Sequence, residues 1–176
     1  MCYNCAMSVS IKPYSEVLAQ RFADEQERLR NILGAGVLIE HVGSSAVGIG
    51  GKNIIDILVG VKDTNEMARV RDILAKNGYF EGNDSHEDRI FMASSEGETG
   101  EGDFHIHICP VGSETYANFI VLRDFLRAHP EKAQEYFTKK EELAKLAEFD
   151  RKKYKALKSK YVDKLVMEAK NWLGKN

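Results

Sequence analysis

Apolar positions along this chain follow two spacings, and each spacing predicts a kind of element. Val17, Leu18, Phe22, Leu29, Ile32 and Leu33 recur at helical intervals after Pro13-Tyr14-Ser15. They predict a first helix with Ser15 as N-cap and Gly34 and Gly36 as its stop. Two apolar runs, Val37 to Val42 and Ile54 to Val61, predict strands separated by a segment holding Gly43, Gly48, Gly50 and Gly51. Thr64 to Asn77 reads as a second helix, capped by Thr64, with Met67, Val70, Ile73 and Leu74 as its buried face and Asn77-Gly78 as its end. A short strand follows at Tyr79-Phe80 and a longer one over Arg89 to Ala93. The polar, glycine-rich stretch Ser94 to Gly102 suits a hairpin loop. Asp103 to Cys109 alternates, with His105 and His107 pointing one way and Phe104, Ile106 and Ile108 the other.

Beyond Pro110 and Gly112 the spacing is helical throughout. It predicts helices over Thr115 to Ala128, from Pro130 to about Glu148, and over Arg151 to Leu173. Residues 1–12 read as a tail containing one short extended piece, Val9 to Ile11. No repeat or compositional break divides the chain. The expectation is a single domain over residues 1–176 with a helical C-terminal part at 115–173.

Composition narrows the classes. The chain is 43% hydrophobic and 30% charged, the balance of a globular protein with its own core. No apolar run approaches the roughly 20 residues that span a bilayer. The first residues lack the basic and apolar segments of a signal peptide, so a cytoplasmic location is expected and a membrane partner is not. A net charge of −2 offers no general attraction for nucleic acid. The charge is unevenly spread, however. Residues 81–103 hold eight acids against one base, whereas residues 139–170 hold eleven bases against six acids. A basic C-terminal helix can cover a phosphate-bearing ligand, although a solvated helix face is the ordinary reading. Cys2, Cys5 and Cys109 make no disulfide framework, and Cys2-x-x-Cys5 lacks the flanking strand and helix of a redox motif or the further ligands of a zinc site.

The candidate chemistry gathers around Glu40 to Val61. Asp56 interrupts an apolar run, where a carboxylate is costly unless it is paired or bound. Gly43, Ser44 and Ser45 just upstream offer backbone N–H groups and hydroxyls to a phosphate, with Lys52 or Arg123 to neutralise it. His41, before that turn, is placed to fix it through its ring. Arg123, Asp124 and Arg127 fall within about one helical turn, so they either pair among themselves or send an arginine into the cleft. Tyr154 and Lys158 stand four apart on one face of the last helix and can close a pocket from that side.

The same stretch carries a family pattern. His41, Gly43, Ser44, Ser45, Ala46, Val47, Gly48, Lys52, Ile54, Ile55, Asp56, Ile57 and Val59 match, in register, a hallmark of the form HIGST-A-V-P-G-L-x-x-K-P-I-I-D-I-x-V. Ser45 replaces its threonine and Asn53 its second proline. Later segments extend the match: His105-Ile106-His107, Leu122 to Arg127 with Pro130, Tyr136 with Lys140, Leu143 and Ala144, and Tyr154 with Lys158. Over about residues 14–168 the chain resembles the GrpB family, small proteins with a nucleotidyltransferase-like fold. The resemblance implies an α/β (α+β) fold, with a small mixed sheet flanked by helices and a helical C-terminal part. Some proteins of that family are fused to dephospho-coenzyme A kinase, which suggests a nucleotide or coenzyme A context.

Nucleotidyltransferases of the polymerase-β type, which the pattern also resembles, attack an α-phosphate between two divalent ions held by about three carboxylates. This chain supplies one. Leu58 and Gly60 share the face of Asp56, and the strand that the resemblance makes its neighbour carries His105 and His107. Asp56, His105 and His107 together suit zinc, manganese, iron(II) or nickel better than magnesium. They also suit a general base, or hydrogen bonds to a ligand. The expected ligand is a nucleotide or phosphorylated small molecule, with a divalent ion (Mg, Mn or Zn) as the expected cofactor. The expected activity is nucleotidyl transfer at an atypical metal site. The alternatives are a nucleotide-sensing or protein-interaction domain with a degenerate site, and a metal-dependent hydrolase using the same three residues.

Overall fold

A computed structural model describes residues 8–94 and 103–174. In chain order the elements are α1 (Val17–Leu33), β1 (Leu38–Val42), the single-turn helix α2 (Gly43–Val47), β2 (Ile55–Val61), α3 (Thr64–Ala75), β3 (Tyr79–Glu81), β4 (Ile90–Ser94), β5 (Phe104–Pro110), α4 (Glu114–Ala128), α5 (Pro130–Leu146) and α6 (Arg151–Leu173). The strands form one mixed sheet in the order β1-β2-β5-β4-β3. Its central pair, β2 and β5, is parallel and sets Asp56 opposite His105 and Leu58 opposite His107; the other pairs are antiparallel.

Strand alternation gives the sheet two unlike faces. Ile55, Ile57, Val59 and Val61 of β2 and Ile106 and Ile108 of β5 turn to one side. There they pack with Leu18, Leu29 and Leu33 of α1 and Met67, Val70 and Leu74 of α3. Asp56, Leu58 and Gly60 turn to the other side with His105, His107 and Cys109. Val42, Leu58 and Cys109 form a small apolar base there under Tyr116, Phe119 and Ile120 of α4. Gly60 makes room for that helix, since a Cβ there would lie 2.7 Å from the Tyr116 ring. A further core joins α4, α5 and α6 through Val121, Phe125, Tyr136 and Leu165.

Several boundaries differ from the expectation for physical reasons. The position before α1 is Glu16, and no side chain caps it; Ser15 contributes its carbonyl to the Leu18 N–H at 3.0 Å. Val17 is 63% exposed, because it lies about 100° around the helix from Leu18, whose face is the buried one. Asp63, not Thr64, caps α3. Its carboxylate accepts from the Glu66 N–H at 3.0 Å while Glu66 accepts from the Lys62 N–H at 2.8 Å. The Gly-Ser turn after β1 closes into the single-turn helix α2.

Residues 8–12, expected as part of a tail, are pinned. Val9 donates to the Phe149 carbonyl, and Lys12 exchanges two backbone hydrogen bonds with Gly51. Cys2, Cys5 and most of the expected hairpin at Ser94 to Gly102 lie outside the described residues; Ser94 itself ends β4, and its Oγ accepts from the N–H groups of Asp103 and Phe104. Among the described residues no helix is long and apolar enough to cross a membrane.

Candidate functional site

The polar face of the sheet converges on Asp56. His105 Nδ1 and His107 Nε2 lie 3.5 and 3.7 Å from the same carboxylate oxygen, Oδ1. The parallel register of β2 and β5 makes this convergence, because it sets one acid against two imidazoles of one strand face. Phe91 of β4 packs edge-on to His105 at 5.0 Å, and Phe119 of α4 covers His107 at 4.6 Å. These aromatic walls fix the rings. The Asp56 side chain keeps 28% exposure, so the site opens outward. Burial pushes its pKa up, but hydrogen bonding and charge from His105 and His107 outweigh that and hold it below the usual carboxylate range. His107 is held below the ordinary histidine value by burial, against the pull of Asp56, and its Nδ1 is a buried atom without a hydrogen-bond partner.

The turn after β1 is built around the same carboxylate. Gly43 has φ +71°, and a Cβ there would sit 2.3 Å from Asp56 Oδ2. Both the backbone conformation and the close approach demand glycine. His41 Nε2 meets Ser45 Oγ at 2.9 Å while its ring stacks on Phe22 at 4.1 Å. Burial pushes its pKa down to about 4, so it is a neutral post that fixes the turn, as its position in sequence suggested.

Lys140, on α5, is 2% exposed and reaches this turn from 96 residues away. Its Nζ donates to Ser44 Oγ at 2.8 Å and to the Gly50 carbonyl, and it lies 4.8 Å from the centre of the Tyr136 ring. Burial and the ammonium of Lys158 push its pKa down to about 7, with Asp56 pulling the other way. For Lys158 the cost of burial is outweighed by Tyr136 first, then Tyr154 and Asp56, which favour its charged form. Ser44, Lys140, Lys158 and Asp56 thus share one electrostatic neighbourhood.

Other expected site residues have different roles. Arg123 donates to Glu40 at 2.7 Å, to Asp124 at 2.8 Å and to the His41 carbonyl at 3.3 Å, so it ties α4 to β1 instead of facing an empty cleft. Arg127 donates to the Ala46 carbonyl at 3.0 Å and clamps α2. Tyr154 is buried with Val9, Leu143 and Ala147 and favours the charged form of Lys158. Lys52 lies half-buried in the loop before β2. Asn53 beside it has φ +62°, a conformation closed to the proline of the family pattern.

The expected metal set is not formed. Among the described residues no group of three or more His, Cys, Asp or Glu side chains is arranged to hold a metal ion. Both imidazoles crowd one oxygen of Asp56, and Leu58, fully buried, fills the place where a second carboxylate would project. This donor set does not fit a two-metal centre. Two surface concavities, of about 190 and about 600 Å³, lie elsewhere, one beside Glu25 and Tyr79 and one along α5 and Tyr161. Neither includes Asp56.

A mixed sheet with a Gly-Ser turn ahead of an acid-bearing central strand defines a nucleotidyltransferase-like fold. Structures of the Cid1 poly(U) polymerase share it, one with MgGTP bound at TM-score 0.55 and 16% identity, over 76% of this chain and 44% of that one. At that identity the likeness is one of fold. The chain belongs to the GrpB family: the profile of GrpB protein matches residues 8–168. The crystal structure of conserved protein GrpB from Enterococcus faecalis matches with TM-score 0.79 and 27% identity, over 93% of this chain and 99% of that one. Among curated relatives, a UPF0157 protein of Pseudomonas aeruginosa is 32% identical over 92% of this chain and 67% of its own length. UPF0157 protein YqkA of Bacillus subtilis is 28% identical over 93% of this chain. The chain spans about half of YqkA, 48% of its length.

Sequence reasoning singled out Asp56, His105, His107 and the Gly-Ser turn, and the structure brings them together. It missed Phe91, Phe119 and the direct contact of Lys140 with Ser44. The one available signal for that contact was the family pairing of Tyr136 with Lys140.

Proposed function

We propose that this protein binds a nucleotide or another phosphorylated small molecule at the Asp56 face of the sheet. The observation that carries the reading is the contact between Lys140 Nζ and Ser44 Oγ, a buried amine and a hydroxyl in the neighbourhood of an ionised carboxylate. Ser44, Lys140 and Lys158 take the phosphate, with Gly43 and Ser45 keeping the turn in shape. Asp56 stays ionised and accepts a hydrogen bond from a ligand hydroxyl, with His105 and His107 holding the carboxylate in place. Lys52 stands at the rim as a further cation.

A thermal-shift panel of nucleoside triphosphates and coenzyme A precursors tests this. A ligand that binds only the folded state raises Tm by mass action. At least one phosphorylated ligand should do so, and Ser44→Ala should reduce the shift. No shift with any of them would sink the reading. A second reading, nucleotide sensing without turnover, is favoured by Leu58 in place of a second acid. Asp56→Asn separates the two: an enzyme loses turnover while keeping its fold, whereas a sensor has no turnover to lose and keeps its ligand.

A further inference from the structure

We infer that this site takes the phosphates of its ligand without a divalent cation, the ammonium groups of Lys140 and Lys158 neutralising them instead. The inference rests on the reading above, that the ligand is phosphorylated, and it specifies how that ligand is neutralised.

Three observations carry it. First, the carboxylates that would hold hard cations are missing, and the core prevents their return. Leu58 has no exposed surface and packs with Val42 and Cys109, so an acid at that position would put a second buried charge into apolar packing. Second, the one carboxylate present already has two imidazoles against one oxygen, 3.5 and 3.7 Å away. An incoming magnesium ion, which prefers near-octahedral oxygen ligands, would find one protein carboxylate flanked by two nitrogens. Third, two lysines occupy the same neighbourhood. Lys140 is almost wholly buried with Nζ on Ser44 Oγ, and Lys158 lies close enough for its ammonium to disfavour the charge of Lys140. Like charges held together in a half-enclosed site are unfavourable for folding alone and favourable once an anion lies between them. A polyphosphate is the ligand class that such a pair best matches, since it can meet both ammonium groups and the Ser44 hydroxyl at once.

A bland alternative exists for Lys140: a staple joining α5 to the Gly50 loop through the Gly50 carbonyl. That role needs neither Lys158 nor any ligand.

Calorimetric titration of the full chain with inorganic tripolyphosphate, once with EDTA and once with excess Mg²⁺, tests the inference. Binding should persist in EDTA with affinity within about threefold of the Mg²⁺ value or tighter. Lys140→Met and Lys158→Met should each weaken it by about tenfold or more, the usual loss for a charge-assisted contact. Lys139→Met, which removes an exposed lysine paired with Glu142, should leave it unchanged. Asp56→Asn gives the opposite signs of the two mechanisms: removing a negative charge tightens a metal-free polyphosphate site and weakens a metal-bridged one. Binding that requires Mg²⁺, or that is weakened by Asp56→Asn and indifferent to both lysines, overturns the inference while leaving the phosphate reading intact. No binding of tripolyphosphate under either condition, together with no thermal shift from any nucleotide, overturns both. Thermal melts of each variant show whether a loss is one of folding, and Lys158→Met, at a half-buried position, keeps the test open if Lys140→Met does not fold.

Discussion

The two faces of the sheet are made from the same two strands, yet they obey different rules. The face toward α1 and α3 is filled by Ile55, Ile57, Val59, Val61, Ile106 and Ile108, and every one of them is fully buried. Its free energy comes from area removed from water, and any side chain of similar volume and apolarity would serve. The face toward α4 alternates in the same register but carries Asp56, His105 and His107 over a thin apolar base. Its ionised carboxylate, buried imidazole and buried lysine each cost desolvation, which only their mutual contacts offset. One face therefore stabilises the fold and the other is carried by it. That division is what a ligand site built into a small domain requires.

The largest expected effect breaks the first face. Ile57→Ala should cost about 3 kcal/mol, or roughly 10 °C in Tm, by opening a cavity between β2 and α1. The site should keep its ligand below the lowered Tm. A smaller loss, about 2 kcal/mol, is expected from Gly43→Ala, which forces a side chain into a positive-φ position and onto the Asp56 carboxylate. This change should remove ligand-induced stabilisation altogether, the reverse of the Ile57→Ala pattern. Melting curves with and without nucleotide distinguish the two.

A third prediction concerns pH. The folded state releases the Lys140 proton near pH 7, whereas an unfolded lysine keeps it to about 10.4. The unfolded chain then binds more protons, so stability rises with pH over that window, by about 1–2 kcal/mol between pH 7 and pH 9. Lys158, Asp56 and Glu141 modulate the value, and Cys109, pushed up to about 12 by burial, opposes the rise from the ordinary thiol value, about 8.5, upward, because the unfolded thiol ionises there first. Lys140→Met should flatten the curve. His41 adds a second window: its pKa, lowered to about 4, means stability is lost as pH falls from about 6.5 toward 4. The smallest effect is Val17→Ser, within about 0.5 kcal/mol, since that side chain is exposed.

Legibility in the sequence followed the same division. The apolar face could be read from strand alternation, and Asp56, His105 and His107 stood out against it because a polar residue in an apolar run needs a reason. Val17 was misassigned because a stripe of apolar residues spans more arc than the buried face uses. Ser15 and Thr64 were taken as caps one residue from the true boundary, since capping depends on where the helix starts and not on residue type alone. The helical character of Gly43 to Val47 was not legible beyond a Gly-Ser turn, because a five-residue helix leaves no periodicity to read. Contacts across long separations, Lys140 on Ser44 and Arg123 on Glu40, have no local signature at all. Arg123 looked like a free cation in sequence only because its acidic partner lies 83 residues away.

The most direct measurement is a titration of the isotopically labelled protein with ATP, in the presence of EDTA, followed through backbone amide and histidine ring resonances. The predicted perturbations cluster at Gly43 to Gly51, at His105 and His107, and at Lys140, while Leu29, Val70 and Leu74 on the opposite face stay unchanged. Perturbations on the α1–α3 face, or none anywhere at saturating nucleotide, would contradict the assignment of the Asp56 face as the phosphate-binding site.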